Sequence, residues 1–143
     1  MFIIREFLLA DYAAAYLLWQ STEEVGLNES DSEQAIGEFL LRNPKLSAVA
    51  MGKEGELVGA VLCGHDGRRG YLHHLAVARA YRRQGIGHAL LDHCFAELAK
   101  QHVQKCNIFL YANNTVGQAF WLHNGWHIRE TLRLVQKSVP HSG

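Results

Sequence analysis

Arg82-Arg83-Gln84-Gly85-Ile86-Gly87 stands between a mostly apolar run, Tyr71 to Val77, and a strongly helical run, His88 to Lys100. A strand therefore leads into a short loop that carries two arginines and two glycines, and the loop opens a helix. Glycine has no Cβ, so backbone N–H groups there approach an anion closely. The first N–H groups of a helix have no partner inside it, and the positive end of the helix dipole lies at the same place. Such a turn is a phosphate cradle. The guanidinium groups of Arg82 and Arg83 add fixed positive charge suited to phosphate oxygens.

Two familiar phosphate loops do not fit. A P-loop needs G-x-x-x-x-G-K-[ST], and neither Gly-Lys-Ser nor Gly-Lys-Thr occurs in the chain. A dinucleotide fingerprint needs G-x-G-x-x-G early in a doubly wound unit. Here Gly85-Ile86-Gly87-His88-Ala89 is followed by Leu90, past the middle of a short chain. A simple nucleotide-binding protein is therefore the weakest reading.

The elements on both sides of the loop follow from pattern. Phe2 to Phe7 is β-prone. Asp11 is placed to cap a helix to about Gln20 with Ala14, Leu17 and Leu18 on one face. A polar, acidic loop follows from Ser21 to Glu29. Ser30-Asp31-Ser32-Glu33 reads as a capping box for a second helix whose apolar face is Ile36, Phe39 and Leu40, and Asn43-Pro44 ends it. Ser47 to Gly52, Leu57 to Gly64 and Tyr71 to Val77 are strands joined by short Gly-bearing turns, which predicts an antiparallel meander. After the loop, Leu90, Leu91, Cys94, Phe95 and Leu98 share one helix face. Cys106 to Tyr111 is a strand reached through a helix, so it runs parallel to Tyr71–Val77. Asn114 caps a short helix that Gly125 ends. Trp126 to Gln136 reads as a last strand with Ile128, Leu132 and Leu134 facing one way. The tail, Pro140 to Gly143, is expected to fray.

R-R-x-G-x-G at the start of a helix, after a strand ending Leu75-Ala76-Val77, resembles the acetyl-CoA pyrophosphate loop of the GNAT superfamily of N-acetyltransferases. The order β-α-α-β-β-β-α-β-α-β is that of the GNAT fold, and the resemblance to its small single-domain bacterial members covers nearly the whole chain. It implies an α+β, three-layer fold over residues 1–143 with a central mixed, mostly antiparallel sheet. It implies that Arg82, Arg83, Gln84, Gly85, Ile86, Gly87 and His88 hold the CoA pyrophosphate. Leu75, Ala76 and Val77 would offer backbone groups to the pantetheine arm. Asn114 … Phe120-Trp121 … Gly125-Trp126 is similar to the family pattern N-x-x-x-x-x-F-Y-x-x-x-G-F, which makes Asn114 a contact for the CoA arm.

The same resemblance shows two departures. The family often carries a tyrosine where this chain has Trp121, and an indole N–H does not titrate as a phenol does, so Trp121 is a candidate catalytic residue only through a hydrogen bond to the CoA sulfur or by walling off the acetyl pocket. Many relatives carry a glutamate base where this chain has Tyr71, and no carboxylate lies between Gly67 and Val77. Direct transfer needs a base, because an amine at neutral pH is mostly an ammonium ion. His73 and His74 on the central strand have suitable chemistry. Strand alternation puts them on opposite faces. His123, beside Trp121, and a water relay are further candidates. The implied activity is transfer of acetyl from acetyl-CoA to a primary amine. The alternative is an acyl-CoA-binding module with little turnover, for which the missing tyrosine and glutamate argue.

Composition bounds the rest. At 143 residues, 48% hydrophobic and 20% charged, the chain has the makeup of one soluble globular domain. Fourteen basic residues balance fourteen acidic ones, so a general electrostatic grip on nucleic acid is not expected. No apolar run reaches the roughly 20 residues of a membrane helix, and Met1 to Glu6 lacks the basic lead of a signal peptide. The three cysteines, Cys63, Cys94 and Cys106, lack metal spacing and are expected to be reduced in a cytoplasmic protein. Despite nine histidines no metal is expected, since His123 and His127 span a helix end. Glu23, Glu24, Glu29 and Asp31 form an acidic stretch between the first two helices that would suit a cationic acceptor such as a polyamine, an aminoglycoside or a lysine-bearing peptide. Edge strands of such a sheet invite pairing, which is compatible with a homodimer.

Overall fold

The computed structural model describes residues 1–23 and 25–141; Glu24 of the acidic loop and the last tail residues, Ser142 and Gly143, lie outside them. The chain divides into two compact units, Met1–Phe109 and Leu110–Gly143. The first holds β1 (Phe2–Glu6), α1 (Tyr12–Gln20), α2 (Glu33–Arg42), β2 (Ala48–Gly52), β3 (Leu57–His65), β4 (Gly70–Val77), α3 (Ile86–Lys100) and β5 (Cys106–Ile108). The second holds α4 (Thr115–His123). The sheet order is β1-β2-β3-β4-β5. The pairs β1/β2, β2/β3 and β3/β4 are antiparallel and β4/β5 is parallel, as the helical connection through α3 requires. The fold is α+β.

Helices cover both faces of this sheet. On one face Trp19 and Ala15 of α1 and Ile36 of α2 bury against Val49, Ala60, Leu62 and Ala76, with Phe39 and Leu40 packed at the margin. On the other, α3 descends onto β3 at Gly59. A Cβ added there would lie 3.0 Å from Ile86 Cγ2 and 3.2 Å from Leu90 Cδ1. Hydrogen at this position is what lets the helix that follows the loop seat closely on the sheet. Among the described residues no helix is long and apolar enough to cross a membrane.

Several local expectations are corrected. The buried stripe of α1 is Ala15 and Trp19, while Ala14 and Leu17 are exposed. Asp11 does not cap α1 with its side chain. Its carboxylate instead takes two guanidinium bonds from Arg5, each 2.8 Å, and one from Leu8 N–H at 2.9 Å. The cap of α2 is Ser32, whose Oγ accepts from Ala35 N–H at 3.1 Å. Ser30 lies one residue inside a short 3-10 turn, Glu29–Asp31, that Asn28 caps. Phe95 of α3 is half-exposed rather than buried. β5 stops at Ile108, short of Tyr111. Residues 126–136 form no strand, and 127–136 are exposed. Alternating Ile128, Leu132 and Leu134 marks a face, but a strand also needs a neighbouring edge to take up its N–H and C=O groups, and β5 has only three residues in its ladder.

Candidate functional site

The loop after β4 has the geometry of an anion cradle. A 3-10 turn, Arg79–Tyr81, follows the strand. Arg82 is extended, Arg83 has φ +65° and Gly85 has φ +84°, so the backbone curls through two left-handed residues before α3 begins at Ile86. Successive peptide N–H groups in such curls converge on anions. The first helical bond of α3 is Ala89 N–H to Gly85 O at 3.0 Å. The amides of Ile86, Gly87 and His88 precede it and therefore have no partner within the helix. No acidic residue occupies the first turn to compete for them. Ile86, 1% exposed, roots the loop in the core while Arg82 to Gly85 stay exposed. The space where a Gly85 side chain would project is open. These features fit a pyrophosphate.

The strand that feeds the cradle is open along one edge. β5 pairs with β4 only at Gly70, Tyr71 and Leu72. Beyond Leu72 that edge of β4 has no ladder partner among the described residues, so backbone groups around Leu75 are available to an extended ligand arm, while the Val77 carbonyl accepts from Arg82 Nε–H. On the β3 side, Leu62 pairs with His73 and Ala60 with Ala76, so β4 spends one more residue than β3 over this step. This is a β-bulge, and it lies at His74, whose φ is +57°. A left-handed non-glycine residue costs on the order of 1–3 kcal/mol and persists only where surroundings hold it.

The bulge overturns the expectation that His73 and His74 lie on opposite faces. Both rings sit on the side covered by α1 and α2: His73 is edge-on to Phe39 at 6.0 Å, and His74 is tilted against Trp19 at 5.2 Å. The two imidazole centres are 6.5 Å apart. The extra residue cancels the alternation that would have separated them. Burial, and secondarily the neighbouring His74, hold His73 below the usual histidine value, with Asp31 opposing. His73 is therefore biased to the neutral form that accepts a proton. His74 Nε2 contacts Asp31 Oδ1 at 2.8 Å, and Trp19 Nε1–H donates to the His74 carbonyl at 2.8 Å. Trp19 did not stand out in the sequence as a site residue, and Asp31 stood out only as one carboxylate of the acidic acceptor stretch, not as a partner of His74. Asp31 looked like part of a helix cap, and its partner lies 43 residues away.

Among the described residues the acidic stretch does not form one open carboxylate patch. Glu23 takes Arg79 Nη2–H at 2.7 Å and lies 3.6 Å from Arg82 Nη1. The Arg79 hydrogen bond, with both arginine charges, keeps the Glu23 carboxyl below the usual range. Arg82 Nε–H also donates to Val77 O at 3.0 Å, tying the loop to the end of β4. Asp31 is buried. Glu29 alone of the three described acidic residues is exposed without an ion pair among the described residues.

In the C-terminal unit, Asn114 Oδ1 accepts from Gly117 N–H at 2.8 Å and caps α4. Trp121 is 6% exposed and packs edge-to-face with Phe120 at 5.2 Å and Trp126 at 4.8 Å. His123 at the end of α4 is exposed. Gly125, with φ +89°, terminates the helix. Tyr71, at the position the resemblance gives to a glutamate, stacks on Phe109 at 6.1 Å in the first unit. Cys63, Cys94 and Cys106 are free thiols. Burial pushes the Cys106 thiol up to about 12, which makes it inert as a nucleophile. Among the described residues no group of three or more His, Cys, Asp or Glu is placed to hold a metal ion.

Residues 11–126 match the model of the acetyltransferase (GNAT) family. A protein named acetyltransferase from Yersinia enterocolitica is 27% identical over 136 residues, 95% of each chain. The PaiA N-acetyltransferase from Thermoplasma acidophilum, solved in complex with coenzyme A, superposes with a TM-score of 0.78 at 18% identity, covering 92% of both chains. AAC(6')-Iy, solved with the bisubstrate analogue CoA-S-monomethyl-acetylneamine, superposes at 0.77 and 18% identity, covering 97% of this chain and 99% of that one. The phosphate cradle at the start of α3, the opened edge of β4 and the family match over most of the chain agree: this chain belongs to the acetyltransferase (GNAT) family and is an acetyl-CoA-dependent acyltransferase.

Proposed function

We propose that the chain moves the acetyl group of acetyl-CoA directly to a primary amine. The observation that carries this reading is the continuous line from the unpaired edge of β4 into the free amides that open α3. The pyrophosphate would sit on the amides of Ile86, Gly87 and His88, with Arg82 and Arg83 balancing its charge. The pantetheine arm would run along Leu75, Ala76 and Val77.

The chemistry follows from what an amide bond requires. The acceptor ammonium gives up a proton, its lone pair attacks the acetyl carbon, and a backbone N–H of β4 stabilises the oxyanion. The C–S bond then breaks. His73 and His74, brought to one face by the bulge, are the bases within the strand that lines the donor. Trp121 supplies no acidic hydroxyl, so CoA would leave as a thiolate and take its proton from water or from the imidazolium. The acetylneamine analogue bound by the structural neighbour supports an amine as the acceptor class. The exposed Glu29 is the described carboxylate available to a cationic one. Cytoplasmic residence is part of the same proposal, since acetyl-CoA is the donor there.

The test is thiol release from acetyl-CoA with a panel of polyamines, aminoglycosides and peptides with free N-termini. Amine-dependent release is expected. Tight acetyl-CoA binding without release on any amine would favour an acyl-CoA-binding module instead.

A further inference from the structure

We infer that Asp31 is a positioning residue: its carboxylate pins the Nε2–H of His74 and so leaves the Nδ1 lone pair to take the proton of the acceptor ammonium. The inference rests on the amine-transfer reading given above and deepens it. An ionised carboxylate only accepts, so the 2.8 Å contact between Asp31 Oδ1 and His74 Nε2 places the ring hydrogen on Nε2. In the neutral imidazole the lone pair then lies on Nδ1. Nδ1 has no hydrogen-bond partner among the described residues.

Both members of the pair are held. Asp31 is 5% exposed. Its Oδ2 accepts from Asn28 N–H at 3.1 Å, its peptide N–H donates to Asn28 O at 3.0 Å, and its carbonyl accepts from Tyr12 O–H at 2.6 Å. His74 is held by the bulge, by Trp19 Nε1–H on its carbonyl and by the Trp19 ring beside its own. Regular strand geometry would have turned His74 to the α3 face, away from Asp31. The left-handed backbone at this one histidine is what brings the pair together. The titratable neighbours are Asp31 from the turn before α2, Tyr12 from α1 and His73 from its own strand.

The step balances without any further reactant. One N–H bond of the ammonium breaks and one forms at Nδ1, giving an imidazolium whose Nε2–H stays on the Asp31 carboxylate. The amine lone pair forms the C–N bond, the C–S electrons leave on sulfur, and the second amine proton leaves to the thiolate or to water.

Nitrogen-15 chemical shifts of the His74 ring read the positioning directly and need no acceptor. Near neutral pH the native chain is expected to show Nε2 protonated and Nδ1 bare, and D31N to move towards the Nδ1–H form, because an amide can donate to Nε2. A native His74 in the Nδ1–H form overturns the role of Asp31 whatever the turnover. Kinetics read the proton transfer. With spermidine, or the panel amine that gives the fastest thiol release, D31N and H74A are each expected to lower kcat by about a hundredfold or more. The D31N/H74A pair should be no worse than H74A alone, acetyl-CoA affinity should be unchanged in all three, and added imidazole should restore turnover to H74A only. Native kcat in D31N, or additive losses, overturns the inference. A native chain that turns over no amine overturns the transfer reading instead.

Discussion

Arg5 and Asp11 show how one pair of side chains settles a chain entry. Two parallel guanidinium bonds of 2.8 Å and a third from Leu8 N–H fix Asp11 just ahead of α1. The Arg5 hydrogen bond, reinforced by charge and the Leu8 amide, holds the Asp11 carboxyl below its ordinary value against the cost of burial. Its folded value is depressed, so its stabilisation is present above the ordinary carboxylate range and lost as pH falls through the depressed value. Asp11→Asn should cost about 1 kcal/mol at neutral pH, since Arg5 is partly exposed, and the loss should shrink in acid. Urea denaturation at two pH values checks this, and an equal cost at both contradicts it. His73 acts in the same direction by another route. Burial lowers its value, so the unfolded chain binds its proton first and stability declines as pH drops below about 6.5. Residue identity was legible where chemistry is local, as with Gly85, whose positive φ the loop needs. Asp31 was legible only as part of a capping box and of the acidic stretch, because its partner His74 is distant in sequence.

Elements position the cradle through one close approach. α3 can carry its first amides to the end of β4 because Gly59 leaves room for Ile86 and Leu90. Gly59→Val should push α3 off β3, destabilise the fold by about 1–3 kcal/mol through overpacking and weaken acetyl-CoA binding as the amides shift. A denaturant midpoint and a binding isotherm together check it; a stable variant with native affinity would contradict the packing account. The meander of β2, β3 and β4 and the parallel β5 were readable because turn residues and alternation report on them directly. The bulge in β4 was not, since His73-His74-Leu75 carries no glycine or other mark of an extra residue. The expected last strand failed for the complementary reason: its alternation is genuine, yet residues 127–136 are exposed and form no ladder.

At the scale of the molecule, a five-stranded sheet with helices on both faces presents two things at the end of β4: an edge released by the short β5, and a helix start with unpartnered amides. In the proposed reaction the donor half would rest on these backbone features, which is why a short glycine and arginine motif announced it. In the same proposal the acceptor half would rest on side chains converging from α1, the turn before α2 and the bulge, and such convergence is set by tertiary packing that no local pattern encodes. The donor cradle is the central claim, and calorimetric titration of acetyl-CoA into the native chain and into G87E tests it most directly. A carboxylate placed in the first turn of α3, with the fold confirmed by circular dichroism, should repel the pyrophosphate and weaken binding at least tenfold. Equal affinity in a folded G87E chain would contradict the account.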